Sequence, residues 1–234
     1  IDLMETQRRV VITLSNLSEN ETIRSMLLEI PETCDAMKLL ISRPDDMIRS
    51  GVSSILCNLS AEGSEMEIVS AGVVPTLLVT ALLSSDKMAC KIVCTKALIN
   101  LMAEPTCWES MVKDGLIWAL GNLAQLGDPE LTELTAKSLA NLSRHFPREF
   151  LKSAVATHVV MDCLVSADTQ ILRYGSRMLL NMLQATTVAD EDFRIQSVER
   201  MAIVKNPDEE VSRLTILCLC LSSQSEACRD VIVR

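Results

Sequence analysis

Aromatic side chains are scarce in this sequence, at 3%, and glycine and proline number only seven each among 234 residues. Leu, Ile, Val, Ala, Met and Cys are left to fill any core, a set that packs helix against helix in tight layers without large cavities. Only two histidines occur, His145 and His158, and no two cysteines stand in a CxxC pair. A zinc cluster at recognisable spacing is therefore excluded, and no metal or other cofactor is expected. Cys90 and Cys94 lie one helical turn apart and read as small packing residues rather than ligands. There is no Gly-rich phosphate loop, and the histidines have no partners at catalytic spacing, so the chain is not expected to be an enzyme and no catalytic residue is assigned.

Positive charge is also in short supply. Lys and Arg number 22 against 31 Asp and Glu, a net charge of −9. Each contact with a phosphate backbone needs a cation to displace a counterion, so nucleic acid is a poor partner. No apolar run approaches the ~20 residues that span a bilayer; Val73–Leu83 is short and holds Pro75 and Thr76. Direct membrane insertion is excluded on that reading. The start at Ile1 shows no signal-peptide pattern, and the chain reads as a fragment of a longer protein, which leaves room for an N-terminal lipid anchor outside it. Nine scattered cysteines are an odd number, consistent with reduced thiols in an intracellular compartment, the cytoplasm first and the nucleus or a membrane-tethered setting next. At 48% apolar residues the chain is well supplied for a folded core.

What is present is a repeat. Asn16-Leu17-Ser18, Asn58-Leu59-Ser60, Asn100-Leu101-Met102, Asn141-Leu142-Ser143 and Asn181-Met182-Leu183 recur about every 42 residues. About thirteen residues before each Asn stands an Asp: Asp45, Asp86, Asp128, Asp168 and Asp208, the first serving Asn58 and the last a sixth helix over Val211–Leu221. An Asp at the start of a helix accepts a hydrogen bond from a free first-turn N–H and suits the positive end of the dipole. Each Asp-to-Asn segment thus reads as a helix of thirteen to fourteen residues. Ala71-Gly72-Val73-Val74 and Asp114-Gly115-Leu116-Ile117 mark a sharp turn between two shorter helices. The unit is a short helix, a turn, a second helix such as Pro75–Leu83, an Asp-led turn and a long third helix whose apolar residues keep helical spacing, as in Val52, Ile55, Leu56 and Leu59.

This pattern resembles the armadillo repeat. Ala71-Gly72-Val73-Val74-Pro75-Thr76-Leu77-Leu78 is similar to that family's turn into its second helix, and Ala97-Leu98-Ile99-Asn100-Leu101 to the end of its third. The resemblance implies an all-α fold, a right-handed α-solenoid of three-helix repeats, over residues 1–234 as a single domain of about five repeats with partial units at both ends. A two-helix HEAT-like solenoid is the structural alternative.

By resemblance, third helices line a concave groove in which Asn58, Asn100, Asn141 and Asn181 bind the main chain of an extended peptide; a carboxamide offers the donor and the acceptor that a peptide unit needs. The residues one turn earlier, Ile12, Ser54, Lys96, Lys137 and Arg177, lie beside those Asn and choose the ligand. In nuclear-import adaptors of the family that slot is commonly Trp, which is missing here. Lys96, Lys137 and Arg177, with Arg173 one turn further back, form instead a basic stripe on an acidic protein, similar to the groove by which beta-catenin holds acidic partners. The expected function is a non-catalytic scaffold or adaptor for a protein partner with an acidic extended segment. The alternatives are a regulator or chaperone of a folded client of the GTPase or myosin type, a nuclear transport adaptor, and an architectural module of a cytoskeletal, ciliary or membrane-tethered protein. Trp108 and Trp118 read as core or convex-side residues, and Phe146, Phe150 and Tyr174 as fillers between repeats.

Overall fold

The structure, a computed structural model, describes residues 2–61, 63–83, 87–186, 190–204 and 208–233. They fall into two compact units, Ile1–Ala119 and Leu120–Arg234, each with its own core. Every α-helix and one 3-10 turn are accounted for below, and there is no strand among the described residues.

The first unit is built on three long helices, α1 (Leu3–Leu17), α4 (Asp46–Leu59) and α7 (Met88–Leu101). Between them run the shorter pairs α2 (Glu21–Leu28) with α3 (Thr33–Ile41) and α5 (Glu65–Ser70) with α6 (Val74–Leu82); a 3-10 turn over Pro105–Cys107, α8 (Trp108–Lys113) and α9 (Leu116–Ala124) follow. The turns expected at Gly72 and Gly115 are present, with φ of 71° and 100°. Those values belong to the left-handed region, where a side chain is strained, and they let a helix end and the next begin within two residues.

Packing between long helices is close because the residues there are small. Gly51 of α4 sits so near α1 that a Cβ on it would lie 2.4 Å from Val11 Cγ1. On the other side of α4, Ser53 meets α7: the Cys94 thiol lies 3.1 Å from Ser53 Oγ, and Cys90 Sγ 3.7 Å. Cys90 and Cys94 are thus buried packing residues, as their spacing suggests. Two buried cations finish the second helices. Arg49 Nη1 donates to the Arg43 carbonyl at 2.9 Å, and Lys91 Nζ donates to the carbonyls of Ala81, at 3.1 Å, and of Leu83. Both stand nine residues before an Asn, where the side chain reaches the orphan carbonyls of the preceding helix end.

The second unit repeats the scheme with α10 (Pro129–His145), α13 (Thr169–Ala185) and α15 (Glu209–Ser222) as long helices. α11 (Pro147–Lys152) and α12 (Ala154–Cys163) lie between the first two, α14 (Glu191–Ile203) precedes α15, and α16 (Glu226–Val233) follows. Phe150 is fully buried, whereas Phe146 and Tyr174 are half-buried. Trp108, in the first unit, donates its Nε1–H to the Met102 carbonyl at 2.7 Å, and Trp118 is exposed.

Four of the five expected Asp caps form. Asp45 accepts from Ile48 N, Asp128 from Leu131 N and Asp208 from Val211 N, each at 3.0 Å, and Asp168 from Gln170 N at 2.7 Å. Asp86 lies outside the described residues; α7 follows Lys87, which makes no side-chain cap. Two lengths depart from expectation. α10 and α13 reach 17 residues, running on past Asn141 and Asn181. α10 stops at Phe146 because the residue before a proline, here Pro147, is driven out of the α region. Between α13 and α15 one 13-residue helix, α14, stands where the other repeats place two. No Gly or Pro interrupts Glu191–Ile203, so nothing breaks that helix in two.

Candidate partner-binding face

The Asp caps set the phase of each long helix, and thirteen residues later the Asn side chain emerges near its C-terminal end. Asn58 and Asn100 in the first unit and Asn181 in the second are half-buried, and Asn141 is exposed. One turn earlier, Lys96, Lys137 and Arg177 are all exposed, and Ile12 is exposed as well. This common register puts each cation and its Asn on the same helix face.

The Asn groups bind the helix before them. Asn58 Nδ2 donates to Ser18 Oγ at 2.9 Å, Asn100 Nδ2 to the Cys57 carbonyl at 3.1 Å and to Ser60 Oγ at 3.4 Å, and Asn181 Nδ2 to Ser143 Oγ at 2.8 Å. The hydroxyl that receives each one comes from the Ser two residues beyond the preceding Asn. That Ser recurs in the sequence as Asn-Leu-Ser, so the pairing had a visible signal that the reading of Asn as a ligand residue passed over.

The arginines are engaged as well. Arg173 reaches Asp208, Nε to Oδ1 at 3.1 Å and Nη2 to Oδ2 at 2.5 Å, and Arg177 reaches Glu210 Oε1 from Nε at 2.9 Å and from Nη2 at 2.5 Å. Hydrogen bonds from the Arg173 guanidinium and from the Val211 amide hold the Asp208 carboxyl down at about 2. In the first unit Arg8 makes the equivalent contact, Nη2 to Asp45 Oδ2 at 2.6 Å, and pulls that carboxyl below the usual range. Arg8 and Arg173 both stand eight residues before an Asn, so an Arg there clamps the capping Asp of the next long helix. Lys137 has no such partner: it makes no ion pair or side-chain hydrogen bond among the described residues.

Between α1, α4 and α7 the face opens into a hollow of about 340 Å³ lined by Ile12, Asn16, Met47, Ser50, Ser54 and Lys87. It exists because α4 carries Ser50, Gly51 and Ser54 where α13 carries Arg173, Tyr174 and Arg177. Among the described residues no three His, Cys, Asp or Glu side chains gather as a metal site, and no helix is long and apolar enough to cross a membrane.

No family model matches the sequence, and no curated protein is a significant match. Solved structures do match. A computationally designed armadillo repeat protein for modular peptide recognition superposes with a TM-score of 0.74 at 13% identity, covering 94% of each chain. A designed armadillo repeat protein in complex with the peptide (KR)4 gives 0.69 at 12%, again over 94% of both. An engineered protein from a structural-genomics consortium gives 0.74 at 19%, over 95% of this chain and 56% of its own. The fold is the armadillo-repeat α-solenoid.

Proposed function

We propose that the chain is a non-catalytic protein-interaction module that holds an extended, acidic segment of a partner against the outward faces of its long helices. Lys137 carries the reading: an exposed cation without an internal partner, on α10, one turn before Asn141 on the same face. Lys96 has the same register on α7. The designed neighbour bound to (KR)4 takes a basic peptide. A Lys or Arg ligand would meet like charge at Lys96, Lys137 and Arg177 here, and like charges in apposition select against that partner.

Arg173 and Arg177 contribute less than the sequence pattern implies, because Asp208 and Glu210 already neutralise them. A guanidinium has five donors and a carboxylate engages two, so Arg177 retains capacity at its exposed edge. Affinity then comes from several modest contacts, and the unfolded segment bears most of the ordering cost.

The test is an array of acidic peptides probed with the wild-type chain and with Lys96→Glu/Lys137→Glu, after equal helicity and melting temperature have been confirmed. Loss of acidic-peptide binding in the variant supports the reading. Undiminished binding overturns it and moves attention to a folded client docked on other helices.

A further inference from the structure

The asparagines of the long helices are of two chemical kinds. Asn58, Asn100 and Asn181 each spend a donor hydrogen on the Asn-Leu-Ser hydroxyl of the repeat before, at 2.9, 3.4 and 2.8 Å. Asn141 does not. Its register counterpart one repeat earlier is Met102, whose thioether is at best a weak acceptor where Ser18, Ser60 and Ser143 offer hydroxyls. The Asn141 side chain is exposed and forms no hydrogen bond among the described residues. Asn16 is exposed and unengaged too, but the residue one turn before it is Ile12, which brings no charge.

We infer that Asn141 is the residue that grips the main chain of the bound segment, with Lys137 holding an acidic side chain next to the gripped peptide unit, while Asn58, Asn100 and Asn181 are struts between repeats. The inference rests on the peptide-binding reading above and divides its site residues by role. A carboxamide with both donor hydrogens and its oxygen uncommitted pairs with a peptide unit in both directions, N–H to Oδ1 and C=O to Nδ2. A strut Asn that turned to a ligand would exchange one hydrogen bond for another and gain little. At Asn141 nothing inside the protein is given up except bound water. The ligand is therefore an extended segment with a carboxylate side chain flanking one exposed peptide unit.

The experiment measures melting temperature and binding together on the whole chain, using a fluorescein-labelled dodecapeptide of alternating Glu and Ser with a Lys-Ser peptide as control. Asn141→Ala is expected to leave the melting temperature unchanged and to weaken the Glu-Ser peptide about fivefold, the size of one lost neutral hydrogen-bond pair. Asn58→Ala and Asn181→Ala are expected to lower the melting temperature by about 2–4 °C and to change affinity less than about twofold. Undiminished binding by Asn141→Ala, with binding still lost in Lys96→Glu/Lys137→Glu, overturns this inference and leaves the proposed function standing. Equal destabilisation by all three Ala variants overturns it as well. A wild-type chain that binds the Glu-Ser peptide no better than the Lys-Ser peptide refutes the proposed function itself, and the inference falls with it.

Discussion

Replacing Gly175 with Ala tests the close packing of the long helices, because helix propensity and packing there push in opposite directions. In an open helix Gly→Ala gains about 1 kcal/mol. Here a Cβ at position 175 of α13 lies 2.6 Å from Cys163 Cβ, 3.1 Å from the Cys163 carbonyl carbon and 3.2 Å from Leu164 N. Two of those three atoms are backbone of α12, so no side-chain rotation relieves the overlap. A relaxed carbon contact is about 3.5–4.0 Å, which requires α12 and α13 to part by about 1 Å. That movement loosens the shell around Met178 and Leu179, both fully buried. Overpacking of this kind costs about 1–3 kcal/mol, leaving a net loss of about 1 kcal/mol and a fall of about 2–4 °C in melting temperature followed by far-UV circular dichroism. Gly51→Ala meets only the Val11 side chain, so it is expected to cost less, and in a Val11→Ala background to be neutral or stabilising. A melting temperature that rises in Gly175→Ala would show that the helices are not in contact there.

Other consequences follow from the caps, the clamps and the thiols. Asp128→Ala removes the bond to Leu131 N and is expected to cost about 1 kcal/mol, whereas Asp128→Asn keeps an acceptor and costs less; equal losses in thermal melts would contradict the capping role. Asp208 and Asp45 hold their protons less tightly folded than unfolded, Asp208 at about 2. Their stabilisation is therefore complete above the ordinary carboxylate range and is lost as pH falls toward about 2, and Asp208→Asn should make the acid limb of a urea-stability profile shallower. An unchanged acid limb would show that the clamp to Arg173 does not form in solution. Burial pushes the Cys163 and Cys218 thiols up to about 12, while Cys220 is exposed. At neutral pH a thiol reagent followed by mass spectrometry should modify Cys220 first and those two last, and rapid labelling of Cys163 in the folded chain would contradict its buried place.

The repeat was legible in the sequence because its signals are local and chemically obligatory. An Asp that caps the first turn, a Gly that takes positive φ and an Asn at fixed spacing each serve their own stretch of backbone, and four Asp caps with both Gly turns stand where the spacing puts them. What escaped was set by neighbours in space. The single helix α14 comes from the absence of any breaker between residues 191 and 203, a negative signal that the periodicity does not announce. The basic stripe was read as free charge because Asp208 and Glu210 are more than thirty residues from Arg173 and Arg177 in sequence, and only stacking of α13 on α15 brings them within hydrogen-bond reach. The Ser partners of the asparagines were visible in the motif, but a pattern of recurrence does not say which repeat a side chain bonds to.

The most direct measurement is a fluorescence-anisotropy titration of the wild-type chain with the Glu-Ser dodecapeptide and with (KR)4, each at low and high salt. The account expects saturable binding of the acidic peptide that weakens as salt screens Lys96 and Lys137, and none of (KR)4. Tighter binding of (KR)4, or binding of neither peptide, would contradict it.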